Sequence, residues 1–478
     1  MTERRPHLTL LAVCLAVFML LLDMTIVSAA LADIQSTLGA RLSGLQWVVD
    51  GYALPMAALL LTAATVGDRI GRRRLYLGGM TVFTLASLGC ALATTIEMLN
   101  ATRAVQGAAG AVLLGVSLPL VAAVYPPGRG RSGAIATYGA VMGAGGAVGP
   151  LLGGALVDGF GWPAIFVVNV PIGVAALVIG ARYIPENRAA QARPVDVVGT
   201  MLLSAALFAG VYVLIEGDRY DWRGLLLAGL SAFCVITLVV FGWWETRVAE
   251  PMLDLAMLRR PGFAGVALAA FVAAATLMAA TNYLALYFMN TLGFSAFEAG
   301  LRALPLTVSI VAGAPLAMVA ARRVPVPLVI PAGAAFIAAG LWLMTGVSAM
   351  TAWTHFIGGS IVAGLGLGGL AALTSEAALR FVSVEDAGMA TGTVSTVRQV
   401  GIVAGVAGLG ALFSSHAGDV GAALPAIDPA AREASAAGMQ ATLVAASGSA
   451  TAGLILVAVL IAVGRRQEIV AEVVDARD

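Results

Sequence analysis

The chain alternates between long apolar runs and short polar connections along most of its length. An apolar run of about twenty residues is long enough for an α-helix to cross the hydrocarbon core of a bilayer. Because lipid offers no partners to backbone polar groups, such runs predict helices. The pattern therefore predicts an all-α integral membrane protein with fourteen spans, at about 8–31, 45–66, 75–95, 99–123, 133–157, 163–184, 196–215, 223–244, 262–289, 297–320, 327–347, 353–379, 387–413 and 441–464.

The predicted spans fall into groups of six, two and six, because two long connections, 182–195 and 245–261, flank the central pair. The second connection carries apolar residues on one side and charges on the other over residues 250–260, which predicts a short amphipathic segment at the membrane interface. We expect a six-helix bundle at 1–184, two linking transmembrane helices with a cytoplasmic connector at 185–261, a second six-helix bundle at 262–464 and a cytoplasmic tail at 465–478.

Composition supports a membrane protein and argues against several other classes. Of 478 residues, 60% are hydrophobic and 11% are charged, whereas soluble proteins carry about 25% charged residues. A net charge of +1 offers no basic surface for nucleic acid. The three cysteines and three histidines have no metal-ligand spacing, and no nucleotide-binding loop or catalytic triad is apparent. We expect no enzyme activity, no metal and no cofactor.

The arginines predict the orientation, since all 27 basic residues are arginine. If the N-terminus is cytoplasmic, 20 arginines lie on the cytoplasmic side, 4 on the opposite side and 3 within spans. Cytoplasmic loops of membrane proteins are rich in positive charge. This bias predicts a multi-pass protein of the cell membrane with both termini in the cytoplasm, and with the loop at 414–440 outside.

A glycine-rich stretch at 139–154 lies within the fifth predicted span. Its glycines recur every four residues and so lie along one face of a helix, where a second helix can approach to backbone contact. A proline within the stretch removes one backbone donor and favours a kink. We expect five residues of this stretch to act in conformational change, with an ordinary packing seam as the alternative: Gly145, Gly149, Pro150, Gly153 and Gly154.

Asp23 lies past the middle of the first span, with no opposite charge three or four positions away. A charged carboxylate within a membrane must face water, pair with another helix or bind a proton. Arg103, in the fourth span, is the best candidate partner, because its long side chain can bridge the expected difference in depth. We expect the pair to bind and release a proton; a purely structural carboxylate is the alternative.

The turn between the second and third predicted spans, at 66–74, places an acid beside several arginines. Such a cluster suits a cytoplasmic hinge at which charge pairs change partners, although a simple topology signal would look similar. The residues that we expect to act in gating are Asp68, Arg69, Gly71 and Arg72.

Three further sets of polar residues lie within or near spans. Glu298 with Arg302, and Glu376 with Arg380, are spaced four residues apart, which favours local ion pairs, although either glutamate could titrate. Arg398 has no adjacent acid, so it could face an anionic group, a carbonyl or a cavity.

The ninth span carries a polar and aromatic stripe at helical spacing, formed by Asn282, Tyr283 and Tyr287. We predict that this stripe and Arg398 contact substrate, with core packing as the alternative for the stripe.

Five stretches resemble motifs of the major facilitator superfamily. Residues 66–74 are similar to its charged D-R-x-G-R-[KR] signature, and 103–107 to its R-x-x-Q-G motif. Residues 145–154 resemble the G-x-x-x-G-P-x-x-G-G motif of its antiporters. Residues 22–27, LDMTIV, resemble a motif of the fourteen-helix drug:proton antiporters of the EmrB/QacA type and antibiotic-resistance exporters, and 169–173 give a fifth match. Ala64, Pro163 and Ala164 depart from the family pattern.

The resemblance implies a secondary transporter in which two bundles rock about a central site. A proton would enter as a small amphipathic drug or antibiotic leaves, and we expect a monomer in the lipid bilayer. One alternative is a proton-coupled exporter of a single metabolite. A second, of a different class, is a membrane sensor or scaffold that transports nothing.

Overall fold

The computed structural model describes residues 5–126, 128–188, 194–217, 220, 224–379, 387–417 and 429–475, and within them the regular secondary structure is helical. The first eight α-helices are α1 (Pro6–Ile26), α2 (Leu31–Leu38), α3 (Leu42–Ile70), α4 (Arg72–Ala91), α5 (Ile96–Val124), α6 (Arg129–Phe160), α7 (Ala164–Val167) and α8 (Asn169–Tyr183). A central group follows, made of α9 (Val197–Glu216), α10 (Leu225–Glu245) and α11 (Leu255–Arg259). The remaining helices are α12 (Pro261–Ala273), α13 (Ala279–Leu286), α14 (Ala296–Arg302), α15 (Leu304–Ala321), α16 (Val326–Leu343), α17 (His355–Leu379), α18 (Ala387–Ala417) and α19 (Pro429–Asp475).

Twelve helices in the described part of the chain are long and apolar enough to cross a membrane. The other two predicted spans, 75–95 and 327–347, coincide with α4 and α16. Three arginines at the start of α4 reduce its apolar character, and the apolar part of α16 is limited to Leu328–Leu343. An all-helical membrane architecture is therefore observed, while fourteen as the number of spans stays a prediction.

The N-terminal half, α1 to α8, is held together by glycines at its helix crossings. On α5, a Cβ at Gly107 would collide with the backbone of Tyr52 on α3, and a Cβ at Gly115 would lie 3.0 Å from the nitrogen of Ala64. Residues without side chains let α3 and α5 approach to backbone contact, which is how helices associate closely in lipid. The glycine that the family motif usually places at position 64 is absent, yet Gly115 supplies the space from the other helix.

The C-terminal half, α12 to α19, also has glycines at its helix crossings, around α17. Gly368 on α17 lies against the backbone of Ile310 on α15, and Gly340 on α16 lies against Ala363 on α17. The helix that opens this half runs from Pro261 to Thr291 and contains π-helical turns at Ala274–Met278 and Tyr287–Thr291. Such turns are often found at functional sites in helices.

The two halves meet along an interhalf seam, in which α3 packs on α18 and α6 packs on α14. On α6, Gly154 contacts the backbone of Ala296, and the carbonyl of Pro150 contacts Gly300 on α14. Asp158 accepts a 2.6 Å hydrogen bond from the Ser295 hydroxyl at the start of α14. This part of the seam is closed in the structure.

The central helices α9 and α10 pack on each other, and α9 also packs on α3 and α18. Thr62 on α3 and Thr200 on α9 share a 2.6 Å hydrogen bond between their hydroxyls. The predicted amphipathic connector forms only the short helix α11, whose Met257 is buried. The connector thus buries part of its apolar side in the protein, and its place at the membrane interface stays a prediction.

Candidate functional site

Asp23 is the centre of a buried hydrogen-bond network that joins three helices of the N-terminal half. Arg103 Nη1 on α5 donates to Asp23 Oδ2 at 2.5 Å, and Gln106 Nε2, one turn further along α5, donates to Asp23 Oδ1 at 2.9 Å. From α8, Asn169 Nδ2 donates to the same Oδ1 at 2.7 Å. All four side chains are at most 1% exposed. The structure thus brings together the two residues that the sequence analysis paired across helices.

The arginine of this network is fixed from several directions. Its Nε donates to the carbonyl of Val48 at 3.0 Å, and its Nη1 also donates to Gln106 Oε1 at 2.7 Å. The guanidinium carbon lies 4.2 Å from the ring centroid of Tyr52 and 5.7 Å from that of Phe166, within the range of cation–π attraction. Removing one partner of such a buried ion pair is costly, because the other charge stays behind without compensation.

This geometry satisfies most of the acceptor capacity of the Asp23 carboxylate. Three donors occupy three of its roughly four lone-pair positions, and charge-assisted hydrogen bonds are about twice as strong as neutral ones. Movement of Arg103 away from Asp23 would therefore remove the strongest of these bonds. Gln106 and Asn169 lie within the matched motifs, but the sequence alone did not show that they bind Asp23.

The glycine-rich stretch of α6 lies against α1, the helix that carries Asp23. A Cβ at Gly145 would lie 2.7 Å from the carbonyl oxygen of Phe18, and one at Gly153 would lie 2.8 Å from that of Ile26. Between them, Gly149 lies against the hydroxyl of Thr25, two residues from Asp23. The predicted close approach of a second helix thus occurs, with α1 as the partner.

A neighbouring face of the same stretch, turned by about 100° around the helix, faces the seam, where Gly154 and Pro150 contact α14. One short segment of α6 therefore touches both the helix of Asp23 and the other half of the protein. The role of these residues in conformational change stays a prediction.

The charged turn between α3 and α4 makes its contacts within the N-terminal half. Asp68 Oδ1 accepts a 2.8 Å hydrogen bond from Arg72 Nε, and Arg69 is exposed. Gly71 adopts a φ of 116°, a conformation that residues with side chains rarely adopt. A Cβ there would lie 2.5 Å from Glu186 Oε1, beyond the end of α8. The turn is thus fastened to the chain after α8, and its predicted gating role stays a prediction.

The two tyrosines that we predicted as substrate contacts are buried at helix crossings. Tyr283 donates to the carbonyl of Val406 at 2.5 Å and is 2% exposed. Tyr287 donates to the carbonyl of Ser348 at 3.1 Å, and its ring packs edge-on against Phe356. In the structure, the Tyr283 hydroxyl connects α13 to α18, whereas the Tyr287 hydroxyl binds the connection between α16 and α17.

The other two candidates are more accessible, since Asn282 and Arg398 are half-buried. Arg398, on α18, is close enough to Tyr138 of α6 for an electrostatic interaction across the two halves. Substrate contact for all four residues stays a prediction.

Of the two predicted local ion pairs, the structure describes one. Glu298 and Arg302 approach to 4.0 Å, and Glu298 also forms a capping box with Ser295 at the start of α14. These contacts explain Glu298 as a helix-capping residue. The side chain of Glu376, and Arg380, lie outside the described residues.

The sequence analysis missed Asp50, on α3. This side chain is fully buried, and among the described residues neither of its carboxylate oxygens has a hydrogen-bond partner. A lone acid within the second predicted span was the available signal. The residue pattern alone could not show that, among the described residues, no neighbouring helix places a hydrogen-bond donor beside the Asp50 carboxylate.

The chain matches the family model of the Major Facilitator Superfamily over residues 13–406. The Tetracenomycin C resistance and export protein of Streptomyces glaucescens is 36% identical over 420 residues, which cover 87% of this chain and 77% of the relative. The Methylenomycin A resistance protein of Streptomyces coelicolor is 35% identical over 84% of this chain and 85% of the relative. The Multidrug resistance protein Stp of Mycobacterium tuberculosis is 35% identical over 86% of this chain and 77% of the relative.

Solved structures resemble the fold over nearly the whole chain. A bacterial homologue of the human lysosomal transporter Spinster, crystallised in an inward-facing and unoccupied conformation, aligns with a TM-score of 0.64 and 17% identity. The alignment covers 98% of this chain and 99% of that one. The human organic anion transporter TETRAN aligns with a TM-score of 0.60 at 14% identity, over 95% of this chain and 100% of that one.

Proposed function

Because the chain belongs to the major facilitator superfamily, we propose that it is a proton-coupled antiporter that exports amphipathic organic compounds from the cell. Relatives named as resistance and export proteins support an exporter of this superfamily with a small organic substrate. The chain is a multi-pass membrane transporter and not an enzyme. Coupling to protons, the breadth of substrates and the fourteen-helix branch are parts of the proposal.

The observation that carries the proposal is the buried network around Asp23. A proton gradient can drive export only if proton binding differs between the two facing states of the protein. Asp23 accepts hydrogen bonds from Arg103, Gln106 and Asn169 in the structure, and this set of donors opposes protonation. A state in which α1 shifts relative to α5 and α8 would free the carboxylate to bind a proton.

The α6 segment supplies a mechanical connection between proton binding and alternating access. Gly149 touches α1 next to Asp23, while Pro150 touches α14 across the seam. In our proposal, movement of α1 on protonation is transmitted through α6 and opens the seam between the halves. The turn at Asp68 and Arg72 would stabilise one facing state.

The proposed membrane arrangement has fourteen spans, with α4 and α16 as the two that supplement the twelve candidates. Both termini would be cytoplasmic, as the arginine bias predicts. The protein would act as a monomer in the cell membrane and would require no cofactor. Substrate would contact Asn282 and Arg398, which are half-buried, and the buried tyrosines Tyr283 and Tyr287 would be reached in the other facing state.

Two alternatives remain open and differ in what they predict. An exporter of one specific metabolite would show a narrow competition profile, whereas a drug exporter would accept compounds of unrelated skeleton. A sensor or scaffold would show no gradient-driven transport.

The test is transport of a fluorescent amphipathic cation or anion into proteoliposomes under an imposed proton gradient. Wild type should accumulate substrate against its concentration gradient, and collapse of the proton gradient should abolish accumulation. Asp23→Asn keeps the size of the side chain and should still bind substrate, yet it should lose uphill transport. Asp33→Asn is the matched control, because Asp33 only accepts a backbone hydrogen bond from Trp162 within the N-terminal half. Uphill transport by Asp23→Asn at wild-type rate would place the coupling site elsewhere.

A further inference from the structure

Arg398 brings a positive charge deep into the membrane-spanning part of the C-terminal half. It lies four residues from Ile402, the middle residue of α18, which is about 6 Å along the helix axis. The hydrocarbon core extends about 15 Å to either side of its midplane. An arginine keeps its charge in proteins, and a charge at this depth is costly unless water or an opposite charge compensates it.

The structure provides the Arg398 guanidinium with no acceptor among the described residues. It forms neither a hydrogen bond nor an ion pair there, and its electrostatic neighbour in that part of the chain is Tyr138, on α6 of the other half. Arg103 is different, because it is bound to Asp23. The side chain of Arg398 is half-buried, so part of it remains accessible to a molecule that enters between the halves.

Two hydroxyl groups lie near this arginine and are also without partners in the described part of the chain. The Tyr138 hydroxyl forms no hydrogen bond there. Ser395 precedes Arg398 by three residues and so shares its face of α18, where it too is half-buried and makes no hydrogen bond to a described residue. A guanidinium has five donors, and each hydroxyl can donate one more hydrogen bond. This group of three residues, which we call the Arg398 site, therefore has more donors than acceptors.

The acids of the neighbouring helices do not balance this positive charge. Asp23 on α1 and Asp50 on α3 are both fully buried, and Asp23 is already bound by Arg103. Among the described residues, the charge that is accessible between the halves within the membrane is thus the positive charge of Arg398. A cleft with accessible charge of one sign attracts ligands of the opposite sign.

We propose that the Arg398 site binds the anionic group of the transported compound, so that the substrates are amphipathic organic anions, with carboxylates as the best fit. The planar guanidinium matches a carboxylate through two parallel hydrogen bonds. Tyr138 would donate to the same carboxylate from the other half, so a bound anion would connect α18 to α6. Such a ligand binds most tightly when the halves are close together and therefore favours that state.

This inference rests on the proposed function for the direction of transport, and it adds the charge of the substrate. An anion that leaves the cell and a proton that enters it both move positive charge inward. An inside-negative membrane potential would therefore assist export.

The test measures equilibrium binding in the absence of any gradient, with the full-length protein in nanodiscs of zwitterionic lipid. Three probes share one aromatic body and differ in charge: pyrenebutyrate, the neutral pyrenebutanol and the cationic pyrenebutyl-trimethylammonium. Energy transfer from the protein's tryptophans to pyrene reports binding, and protein-free nanodiscs give the correction for partition into lipid. Wild type should bind pyrenebutyrate about 10- to 100-fold more tightly than pyrenebutanol, the range expected for a hydrogen bond to a charged group.

Substitutions at Arg398 should change this preference in a graded way. Arg398→Gln should bind pyrenebutyrate and pyrenebutanol about equally, Arg398→Lys should keep part of the preference, and Arg398→Glu should favour the cationic probe. Arg323→Gln is the matched control, because Arg323 is an exposed arginine just beyond the end of α15, and it should bind like wild type. If Arg398→Gln does not insert stably, Tyr138→Phe removes one donor, keeps the ring and should weaken binding of pyrenebutyrate alone.

Two results would overturn the inference: wild type that does not favour pyrenebutyrate, or a preference that persists in the Arg398→Gln and Arg398→Glu variants. The outcome is separable from that of the proposed function. Selective binding of the anion through Arg398 without proton-driven uptake into proteoliposomes would contradict the proposed function and leave the anion site standing. Proton-driven uptake of the cationic probe, with no preference for the anion in binding, would do the reverse.

Discussion

At the scale of single residues, the two buried aspartates show how neighbours decide what a carboxylate can do. Asp23 and Asp50 are equally buried, yet one is surrounded by donors and the other has none within the described residues. The first accepts hydrogen bonds from Arg103 and two amides. The second has no donor to stabilise a negative charge, which is costly to bury alone. Equal burial thus leaves the two carboxylates in opposite surroundings.

The ion pair at Asp23 predicts a pattern in a double-mutant cycle. Arg103→Ala leaves a buried carboxylate without its cation, which costs about 3–5 kcal/mol in comparable buried pairs. Asp23→Asn with Arg103→Ala leaves no charge behind, so the double variant should be more stable than Arg103→Ala alone. Thermal unfolding followed by tryptophan fluorescence in detergent measures the difference. Additive losses of stability, with the double variant the least stable of all, would mean that the two side chains do not depend on each other.

Asn169→Ala tests the third donor to the carboxylate. It removes one hydrogen bond to Asp23 Oδ1 but leaves the ion pair, so the loss of stability should be smaller, about 1–3 kcal/mol. Proton-driven transport should persist at reduced rate. Thr81→Ala is a suitable control, because Thr81 hydrogen-bonds only within its own helix and is exposed. A loss in Asn169→Ala no greater than in Thr81→Ala would show that Asn169 adds nothing to the network.

At the scale of helices, the glycine spacing on α6 predicted a close neighbour but could not name it. Glycines spaced four residues apart lie along one face of a helix. In the structure, α1 packs against that face at Gly145, Gly149 and Gly153.

The partner of Asp23 was easier to predict, because few charges occur within spans and Arg103 lay at a suitable depth. Asp50 was missed because the sequence does not show which groups surround it: Tyr283, on α13, interacts with it electrostatically from more than two hundred residues away in the chain. The spans at 75–95 and 327–347 stay predictions for a local reason, namely the arginines at the start of α4 and the short apolar stretch of α16.

Two neighbouring glycines on α6 allow a matched test of the contact with α1. Gly149→Leu would force a side chain into Thr25 and Ile26, whereas Gly146 has no atom within 4 Å of an added Cβ. We expect Gly149→Leu to insert but to export at a small fraction of the wild-type rate, and Gly146→Leu to export normally. Efflux from cells at matched expression compares the two variants. Equal efflux by both variants would mean that the glycine-rich stretch of α6 only packs helices together and has no particular role in transport.

At the scale of the whole molecule, the halves are joined by contacts that differ in kind. Backbone contacts at Gly154 and Gly300 are rigid and cannot adjust to a side chain, while the hydrogen bond from Ser295 to Asp158 can form and break. A seam built from glycine contacts is either closed or open, because packed interfaces do not deform continuously. This is the behaviour that alternating access requires of the proposed transporter.

The membrane arrangement is tested by accessibility of single cysteines to an impermeant maleimide in intact cells. If α4 crosses the membrane, Leu92→Cys and Arg69→Cys lie on opposite sides, since these residues flank that helix. If α16 crosses, Met350→Cys and Val324→Cys do likewise. Fourteen spans with cytoplasmic termini predict labelling from outside at 92, 350 and 415, and labelling at 69, 193 and 324 only after permeabilisation. The positions at 69, 92, 324, 350 and 415 are exposed in the structure, so burial within the protein does not account for a failure to label there. Labelling of 92 and 69 from the same side would remove α4 from the spans, and labelling of 415 from the same side as 193 would contradict the fourteen-span arrangement as a whole.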